Sequence, residues 1–425
     1  MSKEANKNGK KKQRPKKIGK INPILYNVIA PIFNLYYTKK YHITYDNEVV
    51  KDLKGPAIVV ASHVSDQDHF LSALTLRPVR PTYIVSQHFT HNKSTAPLIK
   101  LAHVITKKMF TPDVSTIINT MRAKNENAVI VIFPEGRLSC YGRTLPLAEG
   151  TAELIKKLGV NLYGWRAEGA GNTFPKWRKK GDDRIGRIHC SLKLLLTSDE
   201  VAERTIPEIR TVVEEAIFND EDQAMPGVEF KSGTMAEGAE KVLYKCPACL
   251  KEGGIKTNGN LISCQCGFDA TLDSYYKLHG APFETINEWF RWQQDSIDTE
   301  TEHLETEARL GTPGEDGYMD PNAGHGHVYI DKNEFRLKGT IYGEEIDYVT
   351  APEKITAFPI SPGDHIDVYH AGKLVYIYPE PDMNASVKWV CYLDKLMENK
   401  RAAAKAEAEK AEAEKADAEK EVATV

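Results

Sequence analysis

The sequence contains few cysteines, and their distribution argues against a secreted, disulfide-stabilised protein. Only seven occur in 425 residues. Three are isolated, at Cys140, Cys190 and Cys391, and the other four are clustered between residues 246 and 266. Disulfide frameworks are typical of much shorter chains with many paired cysteines. We therefore expect a reducing, cytosolic location.

A long uninterrupted hydrophobic run is also missing. The most apolar N-terminal stretch, residues 21–37, is broken by three asparagines and two prolines and is followed by Lys39 and Lys40. It is too short and too polar for a spanning helix, and no small-residue cleavage site marks a signal peptide. The pattern predicts an interfacial segment lying on a membrane surface, with a helix packed on the core as the alternative.

Net charge is low, at −3, but the charge is unevenly distributed. Residues 1–20 contain nine Lys or Arg and one acidic residue. Each such cation near an anionic leaflet contributes about 1 kcal/mol of attraction. We expect a basic disordered arm that binds anionic lipids at the cytoplasmic face of the membrane, with a merely solvated tail as the alternative. Nucleic acid is not an expected partner, because aromatic residues are not interleaved with the cations.

Residues 21–240 read as an α/β domain. Short apolar runs of strand length alternate with helical stretches, and they lie at residues 57–62, 82–86, 103–106, 128–133 and 160–165. This alternation predicts a mostly parallel sheet covered by helices. One further helix is predicted over residues 199–216, and a polar linker over residues 219–240.

The first candidate catalytic group is His63, which follows the predicted strand at residues 57–62. Ligands of parallel α/β sheets bind outside the carboxyl ends of the strands. A neutral imidazole there can accept a proton from an alcohol, and Asp68 would fix its tautomer by accepting the Nδ1 proton. Asp66 is a rival partner that spacing does not exclude, and a structural His–Asp pair is the alternative to catalysis.

The second candidate block is Phe133-Pro134-Glu135-Gly136-Arg137, at the end of the strand over residues 128–133. Arg137 and Arg143 offer bidentate donors to a phosphate, and Glu135 with Gly136 would line the same site. An exposed Pro-Gly turn with an ion pair is the alternative.

Together these blocks resemble the glycerolipid acyltransferase family, which includes the lysophosphatidic acid acyltransferases. His63 and Asp68 match its first block, Phe133 to Gly136 match its second, and Lys107 lies where a basic phosphate-binding residue is usual. The resemblance covers roughly residues 21–217. It implies acyl-CoA or acyl carrier protein as acyl donor, a lysophospholipid as acceptor and phosphatidic acid or a phospholipid as product.

The resemblance is not complete. Arg137 directly follows Gly136, whereas the family often has Thr before the Arg, and the fourth block is absent. These departures concern the identity of the acceptor head group. The competing hypothesis is a catalytically weak scaffold that binds lipid or protein through its zinc ribbon and β-rich region.

A cysteine module is predicted at residues 241–275. Cys246 and Cys249 form one close pair, and Cys264 and Cys266 form a second pair across a hairpin-sized insert. Two such pairs are typical of a structural zinc ribbon, with redox-active thiols as the alternative.

The C-terminal part reads as a helix and a β-rich region over residues 276–398, followed by a solvated Ala/Glu/Lys helical tail at 399–425. The helix is expected around residues 278–296, and an acidic, glycine-rich loop at 299–326. The β-rich region with its closing helix weakly resembles a pleckstrin-like domain.

Overall fold

Three β-sheets follow one another along the chain in a computed structural model that describes residues 21–109, 113–355 and 357–423. The predicted basic arm, residues 1–20, lies outside this range. The three sheets are formed by consecutive segments of the chain.

The first sheet has seven strands in the order β1-β7-β6-β2-β5-β3-β4. Its pairs are parallel, except for the antiparallel pair β6–β7. This confirms the predicted mostly parallel sheet, although β1 and β7 are additional to the predicted strands. The strands are β1 (Ile43–Asp46), β2 (Ala57–Ala61), β3 (Thr82–Ser86), β4 (Ile105–Lys107), β5 (Val129–Ile132), β6 (Asn161–Glu168) and β7 (Ile188–Leu196).

Helices cover both faces of this sheet. One core contains Val59, Leu71 and Trp165, and the other contains Ile58, Ile155 and Ile209. The helices are a π-helical turn Leu25–Ile29, α1 (Ala30–Tyr41), α2 (Asp68–Thr75), α3 (His88–His91), α4 (Ala96–Ala102), α5 (Val114–Asn125), α6 (Thr151–Leu158), α7 (Ala170–Thr173), α8 (Ser198–Glu203), α9 (Ile206–Ile217) and α10 (Glu221–Ala224).

Two local predictions for this region are wrong. The single helix expected over 199–216 is two helices, because Thr205 and Glu208 form a capping box that starts α9 afresh. The linker expected over 219–240 is packed against the domain. Glu221 is 3% exposed and accepts hydrogen bonds from the Gly169 N–H at 3.1 Å and the Asn172 N–H at 3.3 Å.

The second sheet is a small antiparallel one in the order β11-β10-β9-β8. It begins inside the predicted cysteine module and ends just after it, because β11 pairs with β10. The helix expected from residue 278 therefore starts only at Ile286. The elements are β8 (Ile255–Asn258), β9 (Leu261–Cys264), β10 (Asp269–Leu272), β11 (Leu278–His279) and α11 (Ile286–Asp295).

The third sheet is antiparallel in the order β15-β14-β13-β12-β18-β17-β16, and a long helix follows it. The predicted β-rich region and its closing helix are confirmed. The loop expected over 299–326 is instead occupied largely by β12 and β13, and α12 continues through the predicted boundary at 398/399. The elements are β12 (Leu304–Pro313), β13 (Met319–Ile330), β14 (Phe335–Ile341), β15 (Glu344–Thr350), β16 (Ile360–Ser361), β17 (His365–His370), β18 (Lys373–Pro379) and α12 (Ser386–Ala423).

The second and third sheets share one hydrophobic core with part of the first domain. Cys140 and Trp177 belong to the same buried cluster as Ile262 of the second sheet and Val390 of α12. Short 3-10 turns complete the fold at Glu48–Lys51, Ala239–Lys241, Pro352–Lys354 and Met383–Ala385.

Candidate active site

His63 lies in the loop that leaves the central strand β2 and enters α2. All five residues of β2 are buried, and the Ser62 N–H donates to the Trp165 carbonyl of β6 at 3.0 Å. Sheet pairing therefore continues up to the residue before His63. The imidazole begins at the carboxyl edge of the sheet, which is the usual ligand-binding edge in this class of fold.

Asp68 is the carboxylate that contacts this imidazole. Its Oδ2 lies 3.1 Å from His63 Nδ1 and also accepts the Ser65 N–H at 2.8 Å. Asp66, the rival partner, accepts from Gln67 Nε2 and from Arg178 Nη1, each at 3.1 Å. With Asp68 accepting at Nδ1, the proton lies on that nitrogen and the Nε2 lone pair is available as a base.

The second block holds the backbone of His63. Glu135 Oε1 accepts the His63 N–H at 2.6 Å, and Oε2 accepts the Leu145 N–H at 2.7 Å. The Ser139 N–H donates to the His63 carbonyl at 3.0 Å, and the Phe133 ring stacks on the imidazole at 4.4 Å between centroids. The two blocks therefore form one constellation, in which Glu135 positions His63 through the main chain.

A glycine is required where this block turns. Gly136 has φ +77°, and its N–H donates to the Phe133 carbonyl at 3.2 Å. That left-handed conformation costs other residues roughly 1–2 kcal/mol. The turn directs Glu135 back towards His63.

The cationic candidates occupy different environments. Lys107 ends β4 at the same carboxyl edge, and it makes no ion pair within the described part of the chain. Arg137 is buried in an ion pair with Asp394 of α12, and Arg143 Nε lies 3.7 Å from Asp220 Oδ2. Lys107 therefore differs from both arginines: burial lowers its pKa, the Asp113 carboxylate raises it, and no carboxylate of the described residues lies within ion-pair distance of it.

Residues 42–165 match the sequence model of the acyltransferase family. This range contains His63, Asp68, Lys107, Glu135 and Gly136. The chain carries an acyltransferase domain. The predicted resemblance to an acyltransferase is thereby confirmed for residues 42–165.

Among solved structures, the chain is similar to the 1-acyl-sn-glycerophosphate (LPA) acyltransferase PlsC from Thermotoga maritima. The identity is 14%, and the alignment covers 45% of this chain and 78% of that chain with a TM-score of 0.37.

Electrostatics keep the imidazole of the acyltransferase domain neutral. Burial lowers the pKa of His63 to about 3, and the positive charge of Lys176 acts in the same direction. Burial also raises the pKa of Glu135 to about 8, although the two backbone N–H groups that donate to this carboxylate lower it. A neutral His63 is the form that can act as a base.

We therefore expect the acid limb of the pH profile of kcat/KM to lie well below 6.5, the ordinary pKa of histidine. The folded pKa of His63 is lowered, so protonation inactivates the site only as pH falls towards about 3. Lys176→Met removes the cation and should move this limb to higher pH. Lys180→Met, an exposed change in the same loop, is the matched control. If the acid limb of Lys176→Met coincides with that of wild type, Lys176 does not lower the pKa of His63.

Sequence reasoning missed a polar network that fixes the loop after His63. Arg178 bonds Asp66 at 3.1 Å and Asp183 at 3.2 Å, and Asp183 accepts from the Tyr41 hydroxyl at 2.8 Å. The network joins α1 to the catalytic loop of the acyltransferase domain. No motif marks it, because its members are separated by up to 142 positions.

Four cysteine sulfurs converge outside the acyltransferase domain. Cys246 Sγ lies 3.8 Å from Cys266 Sγ, Cys249 Sγ lies 3.9 Å from Cys264 Sγ, and all four are within 4.8 Å of one another. Ligands at about 2.3 Å in a tetrahedron are separated by roughly 3.8 Å. The predicted ligands therefore fit a single tetrahedral metal ion.

Proposed function

We propose that this protein transfers a fatty acyl group from acyl-CoA or acyl carrier protein to the free hydroxyl of lysophosphatidic acid or a related lysophospholipid. The observation that carries the proposal is the His63 Nδ1–Asp68 Oδ2 contact of 3.1 Å, at the ligand-binding edge of an acyltransferase-family domain. It leaves Nε2 as a base that faces away from the carboxylate.

In the proposed reaction, Nε2 of His63 removes the proton of the acceptor hydroxyl. The oxygen of that hydroxyl attacks the thioester carbonyl at the same time. The new C–O ester bond forms and the C–S bond breaks. The leaving thiolate then takes the proton back from the imidazolium. Asp68 stabilises that imidazolium while it exists, so neither an acyl-enzyme nor a serine nucleophile is needed.

The backbone of the loop is already engaged in its own hydrogen bonds. The N–H groups of His63 and Ser65 donate to Glu135 and Asp68, and that of Gln67 donates to Ser65 Oγ. We therefore assign attraction of the anionic acceptor to Lys107 rather than to these N–H groups. Arg137 and Arg143 would contribute only by exchanging Asp394 and Asp220 for a phosphate.

The experiment that tests this function is incubation of the full chain with acyl-CoA and a panel of lysophospholipids, followed by mass spectrometry of the products. A diacyl product from one or more acceptors is expected. One observation favours the alternative, a scaffold that binds lipid without catalysis. Arg137, a predicted phosphate ligand, is already paired with Asp394. Lipid binding without release of free CoA would establish that alternative.

The exposed face of the N-terminal helix supports a further proposal, association with a membrane surface. Ile24, Ile32 and Leu35 are 60–67% exposed, while Tyr26 on the opposite side is buried and donates to the Ala73 and Val79 carbonyls. Among the described residues, no helix is both long enough and apolar enough to cross a bilayer. We propose that this exposed face lies in the interface of an anionic membrane.

The opposite, packed side of the same helix lies near the active site. Phe33 and Tyr37 contact Phe70, whose ring lies 6.2 Å and 4.9 Å from theirs between centroids, and Phe70 is two residues beyond Asp68. We therefore infer that a helix lying in the interface would hold the loop containing His63 close to the membrane surface.

The double substitution Ile32→Glu/Leu35→Glu is expected to weaken binding to phosphatidylglycerol-containing vesicles at least about 10-fold. Burying one such side chain contributes roughly 1.5–3 kcal/mol, and about 1.4 kcal/mol is tenfold. Vesicle co-sedimentation measures the effect. Val349→Glu, at a residue 50% exposed on the third sheet, is the control. Equal binding of the double variant and the control would rule out this face.

We further propose that the metal held by the four cysteines is a structural Zn²⁺. Four thiolates fill the tetrahedral coordination sphere and leave no open position for catalysis. Removing the metal should therefore affect folding of the second sheet rather than the chemistry at His63.

A further inference from the structure

A second group of metal-binding side chains lies where the acyltransferase domain meets the third sheet. His88 follows β3 and begins α3, while His365 and Asp367 lie on β17. One ligand atom of each residue lies within 4.8 Å of the others. The group is distinct in sequence and place from the four cysteines.

The separations suit a single ion. His88 Nδ1 lies 3.1 Å from Asp367 Oδ2, and His365 Nε2 lies 3.3 Å from Asp367 Oδ1. Nitrogen and oxygen ligands at about 2.0–2.1 Å around a tetrahedral ion are roughly 3.3–3.4 Å apart. Two imidazoles and a carboxylate are a common ligand set for divalent transition metals.

His365 provides an independent indication. It is 6% exposed, and each of its ring nitrogens is paired with a carboxylate. Nε2 faces Asp367, while Asp364 Oδ2 lies 3.2 Å from Nδ1 on the other side of the ring. A carboxylate at the distal nitrogen is typical of metal-bound histidines.

The surroundings would hold the ligands in place. The Tyr376 ring stacks on His365 at 3.9 Å between centroids, and its hydroxyl lies against His88 Nδ1. Nearby, Met109, Tyr369 and Tyr376 form a small buried cluster between the domains. Met109 is two residues after Lys107, so this contact abuts the edge of the sheet where the acceptor is expected.

We propose that His88, His365 and Asp367 bind a divalent transition metal, with Zn²⁺ as the preferred ion, that fastens the third sheet to the acyltransferase domain. The ligands come from two regions separated by 279 positions. The bound ion would therefore act as a cross-link between these two regions.

The test is metal analysis of the full chain after dialysis against Zn²⁺ and removal of free metal. Wild type is expected to retain about two zinc ions per chain, and His88→Gln about one. His327→Gln is the matched control, because His327 also lies beside two carboxylates, Glu305 and Glu307, but is exposed. It should retain the wild-type content. His88 is half-buried, so its substitution avoids the packing changes expected at His365.

Cobalt substitution separates the two sites. In Cys249→Ser, whose four-cysteine site is broken, Co²⁺ should still give ligand-field bands, without the thiolate charge-transfer band of a cysteine site. These bands should disappear when His88→Gln is added. The proposal is overturned if wild type holds a single metal that Cys249→Ser abolishes, or if His88→Gln leaves metal content and bands unchanged. The group would then be an ion-pair cluster between the domains.

Discussion

His63→Ala is expected to lower kcat at least about 10²-fold, the low end of what a general base contributes. The residue is tied to the fold mainly through its backbone, by Glu135 and Ser139, and those bonds survive the substitution. The loss should therefore appear in kcat, with unchanged lipid binding and an unchanged unfolding temperature. Release of CoA with lysophosphatidic acid as acceptor measures it.

Asp68→Asn provides a sharper comparison. The amide keeps the size of the side chain but does not stabilise the imidazolium, so kcat should fall while folding is retained. For His63→Ala, the matched control is His279→Ala, because His279 is exposed and also pairs with an aspartate, Asp273 of the second sheet. Turnover by His63→Ala within a few-fold of wild type would end the general-base mechanism.

Loss of the cysteine-bound metal is expected to have the largest effect on stability. Structural zinc contributes roughly 10 kcal/mol or more to small domains. Cys246 and Ile262 belong to the same buried cluster as Trp289 of α11 and Val390 of α12. Unfolding of the second sheet would therefore expose part of the core of the third.

Cys249→Ser should lower the unfolding temperature by at least about 10 °C, since about 1 kcal/mol corresponds to roughly 2–4 °C in a domain of this size. It should also release about one zinc per chain. Differential scanning calorimetry with metal analysis measures both. Cys190→Ala, at a buried cysteine of β7, should retain the metal. A wild-type unfolding temperature for Cys249→Ser would show that the four sulfurs are not structural ligands.

The contact between His63 and Asp68 was predictable because it is local. His63 and Asp68 are five positions apart, and the geometry of a strand, a loop and the first turn of a helix brings them together. The environment of Arg137 was not predictable, since its partner Asp394 is 257 positions away. Sequence also suggested that Glu135 lines the substrate site, whereas both its oxygens accept backbone N–H groups.

Glycine misled the prediction for residues 299–326. Glycines there suggested a loop, yet Gly324 and Gly326 lie within β13. A Cβ at Gly324 would lie 1.8 Å from the Thr340 carbonyl oxygen, and one at Gly339 would lie 2.5 Å from the Gly326 Cα. These glycines permit close approach of β13 and β14, which is a tertiary requirement that local sequence does not express.

The ion pair between Arg137 and Asp394 makes the N-terminal half an unsuitable candidate for truncation. A protein ending near residue 240 would leave the Arg137 guanidinium, whose side chain is 7% exposed in the full chain, without its counter-ion. Removing one member of a buried pair typically costs about 3–5 kcal/mol. The half that contains His63 and Asp68 thus depends on a carboxylate from the other half, so activity measured on the N-terminal half alone would not represent that of the full chain.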